Sequence, residues 1–229
     1  MQLAFKEQDS LFDFQTFIEK VYASPDDRLY SLWDLLSQEQ RFAMRALKGI
    51  RKEDQEKLKK NLLIAFSWLM SISNRLHINV DDEVWERFPG VCSYCGECPC
   101  ACKKIKPSSR KKLEHKDSAR PRSLAEMQAM FQRIYPAEKR TLGEEGIHLA
   151  EEVGEVSEAI HNYLGLHAMK QFDEVKLEIA DCISCFIGIA NSIPLDLAHE
   201  LAAMYGNNCH VCHKAPCECS FTEIARIVT

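Results

Sequence analysis

A cysteine motif occurs twice in this chain, and its second copy lies 117 residues after the first. Each copy has the pattern Cys-x2-Cys-x4-Cys-x-Cys, at residues 92–102 and 209–219. With this offset the following residues match without a gap: Cys92 with Cys209, Cys95 with Cys212, Pro99 with Pro216, Cys100 with Cys217, and Cys102 with Cys219. The match indicates that one unit is present in two copies.

The same offset aligns the segments that precede the two motifs. Apolar residues match apolar residues over most of 62–84 against 179–201. Identical residues recur at Phe14-Gln15 and Phe131-Gln132, Leu32 and Leu149, Leu47 and Leu164, Ser67 and Ser184, Ile72 and Ile189, Asn74 and Asn191, and Glu83 and Glu200. A register that holds over about eighty positions indicates an internal duplication.

Periodic apolar spacing, as in Leu11, Phe14 and Ile18, dominates the chain, while alternating strand patterns are scarce. Only nine glycines and eight prolines interrupt it. We therefore predict an all-α fold in which two tandem helical-bundle repeats pack as a pseudo-dimer. Each repeat would end in a small four-cysteine zinc knuckle.

Between the repeats lies KKIKPSSRKKLEHKDSARPR, a basic segment rich in Ser and Pro with almost no apolar residue. We predict a first repeat at 1–102, a basic linker at 103–123 and a second repeat at 124–229. The linker could touch a phosphate backbone or an acidic partner. A solvated linker is favoured, because no aromatic residues interleave with its charges.

Bulk composition narrows the class of protein. The formal net charge of −5 over 229 residues argues against general nucleic-acid binding. We expect no membrane association, since no apolar stretch is long and uncharged enough to span a bilayer. The start MQLAFKEQDS lacks a signal-peptide pattern, so we expect the protein in the cytoplasm.

Eleven cysteines, clustered as CxxC and CxC in such a chain, favour metal-bound thiolates over disulfides. Each motif supplies four ligands and leaves no position open, so a structural Zn²⁺ is expected. The predicted ligands are Cys92, Cys95, Cys100, Cys102, Cys209, Cys212, Cys217 and Cys219. Cys98, His210 and His213 are possible substitutes, and free thiols or an iron–sulfur cluster are the alternatives.

Two pairs of carboxylates occur in segments of the second repeat that otherwise have the pattern of buried helices. Glu152 and Glu155 are three residues apart, as are Glu178 and Asp181, so each pair lies on one helix face. If the two helices pack antiparallel, four carboxylates converge and repel unless cations neutralise them. Mg²⁺ is the expected cation, because it prefers carboxylate oxygens and keeps positions for phosphate.

The alternative interpretation is that these acids belong to solvated helix faces. The long uncharged run after Asp181 argues against it, because a helix so apolar is mostly buried. The first repeat argues against it too. There, at the same offset, Glu151, Glu152, Glu155, Glu178 and Asp181 are replaced by Asp34, Leu35, Gln38, Asn61 and Ile64. The scaffold therefore does not require the acids.

The spacing Glu152-x-x-Glu155 followed by Glu178-x-x-Asp181 resembles the ExxE…ExxD signature of the MazG-like all-α nucleotide pyrophosphohydrolases. The surrounding text, HLAEEVGEVSEAI and EIADCISCFIGIANSIPLDLA, is similar to that family's two metal-binding helices. The resemblance covers roughly residues 124–208, and the first repeat would be recognised only through the second.

The resemblance implies an enzyme that hydrolyses a (d)NTP to the (d)NMP and pyrophosphate with Mg²⁺. Its Mg²⁺ ligands would be Glu152, Glu155, Glu178 and Asp181, and Glu151 or Glu155 would accept a proton from the attacking water. Members assemble as dimers or larger oligomers with sites near subunit interfaces, so a dimer of pseudo-dimers is possible.

The family often carries a basic residue and an Asn after its third core helix, and LAAMYGNN at 201–208 keeps only the asparagines. We expect substrate contacts from Lys176, Asn191 and Asn208, with Lys170 or a first-repeat residue as possible substitutes for the missing cation. Alternative functions are a catalytically weak nucleotide-binding regulator and a zinc-stabilised interaction scaffold.

The two motifs generate a first prediction. Elemental analysis of the purified protein should find about two zinc ions per chain, one for each four-thiolate motif. A folded preparation without bound metal would contradict the assignment.

Overall fold

The computed structural model describes residues 4–104 and 107–225, which form nine α-helices and no strand. The all-α prediction is confirmed for these residues. The helices are α1 (Leu11–Leu29), α2 (Leu32–Lys52), α3 (Gln55–Arg75), α4 (Val80–Arg87), α5 (Leu124–Ile134), α6 (Leu142–Leu166), α7 (Met169–Ser192), α8 (Leu197–Tyr205) and α9 (Phe221–Ala225). Both cysteine motifs lie outside helices.

Two helical hairpins form the frames of the repeats. Two residues join α2 to α3, and two join α6 to α7. In each hairpin the first helix ends on a residue in the left-handed region, Glu53 at φ 56° and His167 at φ 51°. This conformation ends the helix and turns the chain, so that the next helix packs back on the first.

The chain divides into two compact units that do not coincide with the two sequence repeats. The first unit combines the described residues up to 79 with those from 197 onward, and the second contains 80–196. Each unit therefore holds three helices of one repeat together with the fourth helix and cysteine motif of the other. The predicted boundaries at 1–102 and 124–229 follow the repeats, whereas the packing exchanges their C-terminal parts.

Ion pairs recur in the exchanged arrangement. In the first unit Lys59 Nζ on α3 lies 3.2 Å from Glu200 Oε1 on α8. In the second unit Lys176 Nζ on α7 lies 3.4 Å from Glu83 Oε1 on α4. The two lysines are 117 residues apart in the sequence, and so are the two glutamates. The same ion pair therefore links each third helix to the fourth helix of the other repeat.

The first helices correspond at an offset of 113, four residues less than the motifs. Gln15 Nε2 donates to the Ile78 carbonyl at 2.6 Å, and Gln128 Nε2 donates to the Leu195 carbonyl at 2.8 Å. The side chains of Ser10 and Ser123 cap α1 and α5 at the same offset. The predicted pairing of residues 14–15 with 131–132 is therefore wrong by one helical turn.

The second helices of the two repeats, α2 and α6, correspond at an offset of 114, three residues less than the motifs. The left-handed ends at Glu53 and His167 differ by 114, and the buried faces match at this offset. The matched buried residues are Leu35, Glu39, Phe42 and Ala46 in α2, and Leu149, Val153, Val156 and Ile160 in α6. Glu152 and Glu155 then correspond to Gln38 and Arg41 rather than to residues 35 and 38, and the first copy still lacks their carboxylates.

The linker forms ion pairs with acidic residues of the second unit, which the sequence did not predict. Arg120 forms ion pairs with Asp81 and Asp82 of α4, and Lys111 Nζ lies 3.0 Å from Glu97 Oε1. Most described linker residues are nevertheless exposed, as expected for a solvated linker, and these ion pairs join it to acidic groups of the second unit. Residues 105 and 106 of the linker lie outside the described residues.

Within the part of the chain that the structure describes, no single helix is long and apolar enough to cross a membrane. The pair α7 and α8 passes that length and composition test only as a bent pair.

Close helix packing at Gly49 generates a stability prediction. A Cβ at Gly49 would lie 2.6 Å from the backbone nitrogen of Leu58 on α3, so Gly49→Ala forces α2 and α3 apart. We expect a loss of about 1–3 kcal/mol in the free energy of unfolding, measured by urea denaturation.

Gly154→Ala is the control, since a Cβ at this α6 position meets nothing within 4 Å. There the gain in helix propensity should stabilise the protein by about 0.5–1 kcal/mol. Equal effects of the two substitutions would contradict the close-contact explanation.

Candidate active site

Three of the predicted acids meet between α6 and α7. Carboxylate oxygens of Glu152, Glu178 and Asp181 all lie within 4.8 Å of one another, a group that could hold a metal ion. The fourth acid, Glu155, acts on Glu178 through its charge and a side-chain hydrogen bond. Glu151 is exposed and lines the adjoining cavity. The helical spacing of three thus brings the acids together as predicted.

The metal-free acids are electrostatically unfavourable. Burial, with repulsion from Asp181 and Glu155, raises the pKa of Glu152 to about 8. Burial and the same two neighbours raise the pKa of Glu178 to about 7. Glu152 Oε2 is also buried without a hydrogen-bond partner. A buried carboxylate in this state requires a proton or a cation.

A cation comes from the first repeat. The Arg87 guanidinium, at the end of α4, donates through Nε to Asp181 Oδ1 at 2.9 Å and through Nη2 to Asp181 Oδ2. Burial alone would lower the pKa of Arg87, but the hydrogen bonds and charge of Asp181 raise it. Arg110 of the linker lies 3.9 Å from the same carboxylate.

Sequence reasoning named neither arginine, although it allowed for a cation from the first repeat. A direct comparison of the copies carries the signal for Arg87. At the offset of 117, Arg87 corresponds to Met204. The second repeat therefore lacks a basic residue after its third helix, whereas the first repeat has one.

The structure places the three predicted substrate contacts in different surroundings. Lys176 pairs with Glu83 and, at 3.7 Å, with Asp173. The Gln128 side chain donates to Asn191 Oδ1, and the Asn191 side chain donates to the Gln128 backbone carbonyl, which ties α7 to α5. Asn208, with φ 65°, belongs to the first unit, whereas the acids belong to the second. The contacts of Lys176 and Asn191 therefore join helices of the second unit.

A cavity of about 350 Å³ adjoins the acids in the second unit. Glu152 and Asp181 form one end, and aromatic side chains form another part of the wall. The lining also includes the first cysteine motif. Its residues are Phe88, Cys92, Ser93, Tyr94, Cys100, Cys102, Arg110, Phe131, Tyr135, Arg140, His148, Glu151, Glu152, Asp181, Ser184, Cys185 and Gly188.

The eight predicted cysteines form two four-sulfur clusters, each able to hold a metal ion. In the second cluster Cys217 Sγ lies 3.5 Å from Cys209 Sγ and 3.8 Å from Cys212 Sγ. In the first, Cys92 and Cys102 sulfurs are 3.7 Å apart. Ligands at about 2.3 Å around a tetrahedral Zn²⁺ would be about 3.8 Å apart, so the spacing fits zinc.

Backbone N–H groups support thiolates in both clusters. The Tyr94 and Val211 amides donate to the first sulfur of their motif, at 3.5 Å and 3.4 Å. Ala101 and Glu218 donate equivalently to the second, at 3.4 Å and 3.5 Å. Such donors stabilise the charged form of sulfur, which is the form that binds metal.

Each cluster is fastened to the first helix of the other repeat. The Cys100 amide donates to the Ile134 carbonyl at 2.8 Å, and the Cys217 amide donates to the Val21 carbonyl at 2.7 Å. The sequence predicts a knuckle at the end of each repeat, but the knuckle is not fastened to that repeat. Instead, each motif binds the helices of the compact unit into which it is exchanged.

No family model, curated protein or solved structure matches this chain.

The Arg87–Asp181 pair generates a third prediction. Arg87→Met should lower the free energy of unfolding of the metal-free protein by about 3 kcal/mol, because Asp181 loses its buried counter-charge. Added Mg²⁺ should stabilise this variant more than the parent, since no guanidinium competes for Asp181. Denaturation with and without Mg²⁺ measures both effects.

Arg110→Met is the matched control. Its side chain is half exposed, so the substitution should change stability by less than about 1 kcal/mol. An equal loss for both arginines would contradict the assignment of Arg87 as the principal counter-charge.

Proposed function

We propose that this protein is a Mg²⁺-dependent nucleoside triphosphate pyrophosphohydrolase of the MazG-like type, releasing a (d)NMP and pyrophosphate from a (d)NTP. The observation that carries the proposal is the convergence of Glu152, Glu178 and Asp181 within 4.8 Å on two consecutive helices. The first copy of the same hairpin has Asn61 and Ile64 in place of the last two acids.

The residues present fit Mg²⁺. The donor set consists of carboxylate oxygens, and one of them, Glu152 Oε2, is buried and lacks a hydrogen-bond partner. Mg²⁺ takes such hard oxygen ligands and leaves positions for water and phosphate. When bound, it would neutralise the triphosphate and make an attacking water more acidic.

The chain's own side chains have separable roles in this proposal. Glu152, Glu155, Glu178 and Asp181 would hold the cation. Glu151, exposed at the cavity beside Glu152, accepts a proton from the attacking water, because it is not held in an ion pair by any contact described above.

Arg87 supplies positive charge to the phosphate side. Its planar guanidinium already makes a two-point contact with the oxygens of Asp181, and phosphate oxygens present the same geometry. If Asp181 held a metal ion instead, the Arg87 guanidinium would be available to bind phosphate oxygens of the substrate. Arg87 therefore replaces the basic residue that the second repeat lacks.

The proposal assigns zinc to both cysteine clusters, in a structural role. Four thiolates with no open position suit a closed Zn²⁺ site. The charge of the metal would compensate four thiolates; without it, the hydrogen bond between Cys209 and Cys217 leaves the proton of the pair on Cys217. Bonding with Cys209 raises the pKa of Cys217, while its own bond to Cys217 lowers the pKa of Cys209 to about 4.

Turnover tests the proposal. Pyrophosphate release should be detected from at least one (d)NTP with Mg²⁺, and Glu155→Gln and Asp181→Asn should each lower kcat by at least about 100-fold, because the substitutions remove charge that holds the metal. Tight nucleotide binding without turnover would instead favour a regulator, and absence of binding would favour a scaffold.

Glu158→Gln is the matched control, since Glu158 is an exposed acid three residues after Glu155 on α6 and is not part of the three-acid group. It should retain activity within about twofold of the parent. Loss of activity in this variant would indicate a general charge effect rather than metal ligation.

A further inference from the structure

The cavity beside the acids has a counterpart in the first unit, and the two differ greatly in size. The cavity in the second unit has a volume of about 350 Å³, whereas the counterpart has about 30 Å³. Both are lined by three cysteines of a motif and by the third helix of a repeat. The scaffold is shared, so the side chains decide whether the space is open.

Differences between the third helices, α3 and α7, explain why the cavity in the first unit is small. At the offset of 117, Cys185 in α7 corresponds to Trp68 in α3. Trp68 lines the small cavity and packs against Tyr30, with ring centroids 5.5 Å apart. Gly188 likewise corresponds to Ser71. Small residues therefore occur on the helix that carries acids, and a large aromatic residue fills the space on the helix that lacks them.

The wall of the open cavity combines aromatic rings with guanidinium groups. The Arg140 guanidinium lies 4.6 Å from the centre of the Tyr135 ring, and that of Arg110 lies 5.6 Å from the Tyr94 ring. Such surfaces stack on nucleobases, at about 1–3 kcal/mol per base.

Buried Glu145 holds Arg140 in place. Arg140 Nη1 donates to Glu145 Oε1 at 2.9 Å, and Glu145 is 2% exposed. The other oxygen of Glu145, Oε2, lies only 2.7 Å from the position that a Cβ at residue 188 would occupy. Any larger residue at position 188 would require the Glu145 carboxylate to shift, so the glycine leaves room for this carboxylate.

We infer that this cavity receives the base and sugar of the substrate, with the first cysteine motif as part of the specificity pocket. This inference rests on the proposed function, because the adjacent acids would hold the triphosphate. The volume lies within the range of small-molecule sites, and polar and apolar groups line it together. The first motif then takes part in substrate binding as well as in fastening α5 through the Cys100 amide.

The test compares deoxynucleoside triphosphates with inorganic tripolyphosphate, which has no nucleoside. Binding is measured by titration calorimetry with Ca²⁺ in place of Mg²⁺, on the full chain. In the parent, at least one of dATP, dCTP, dGTP and dTTP should bind at least about tenfold more tightly than tripolyphosphate, as stacking of one base implies.

Two variants replace a residue that lines the open cavity with the residue at the corresponding position of the other repeat. Cys185→Trp fills the cavity, and Tyr94→Val introduces the residue found at position 211 of the second motif. Each should weaken dNTP binding about tenfold and leave tripolyphosphate binding within about twofold. Cys182→Ala is the control, because Cys182 is buried in α7 but does not line the cavity.

The outcomes separate the two proposals. If dNTPs bind no better than tripolyphosphate, or keep their advantage in the variants, the inferred pocket is wrong while the proposed function stands. If the parent binds no triphosphate at all, the proposed function fails as well. Should Cys185→Trp not fold, Tyr94→Val decides, since the second motif already accommodates Val211 with the same amide–sulfur bond.

Discussion

Repulsion among the carboxylates of α6 and α7 is the constraint on which the arrangement of the second unit depends. Burial and mutual charge hold Glu152 and Glu178 partly protonated near neutral pH. The Arg87–Asp181 ion pair offsets part of this repulsion. Because Arg87 lies at the end of α4, the pair requires that α4 pack on α7 rather than on the helices of its own repeat.

The exchange of the fourth helices explains why the two copies have diverged in complementary ways. The first copy keeps Arg87 but has Asn61 and Ile64 where the second has Glu178 and Asp181. The second keeps its acids but has Met204 where the first has Arg87. After the exchange, the acids and the arginine lie in one unit, and the other unit has neither at the corresponding positions.

The cysteine clusters make such an exchange stable. A fourth helix of eight or nine residues is too short to be stable by itself. Each is followed by a four-thiolate cluster and held by an ion pair, Lys176 with Glu83 or Lys59 with Glu200. In the second unit the cluster also forms a wall of the cavity beside the acids, so one local structure both anchors the helix and shapes the site.

The sequence by itself determined the features that depend on local spacing. The helices, the two four-cysteine clusters and the meeting of Glu152, Glu178 and Asp181 all follow from periods of three to four residues or from motifs within eleven residues. It did not identify Arg87, and it did not predict the contacts that Lys176 and Asn191 make with α4 and α5.

Only the tertiary structure decided the register of the first helices and the partners of the fourth. A shift of four residues leaves the same helix face apolar, so periodicity cannot separate an offset of 113 from one of 117. Hydrogen bonds of Gln15 and Gln128 to distant carbonyls separate them. Likewise, two copies with equivalent surfaces offer each fourth helix two similar docking faces. Long-range packing, which leaves no spacing pattern in the chain, selects between them.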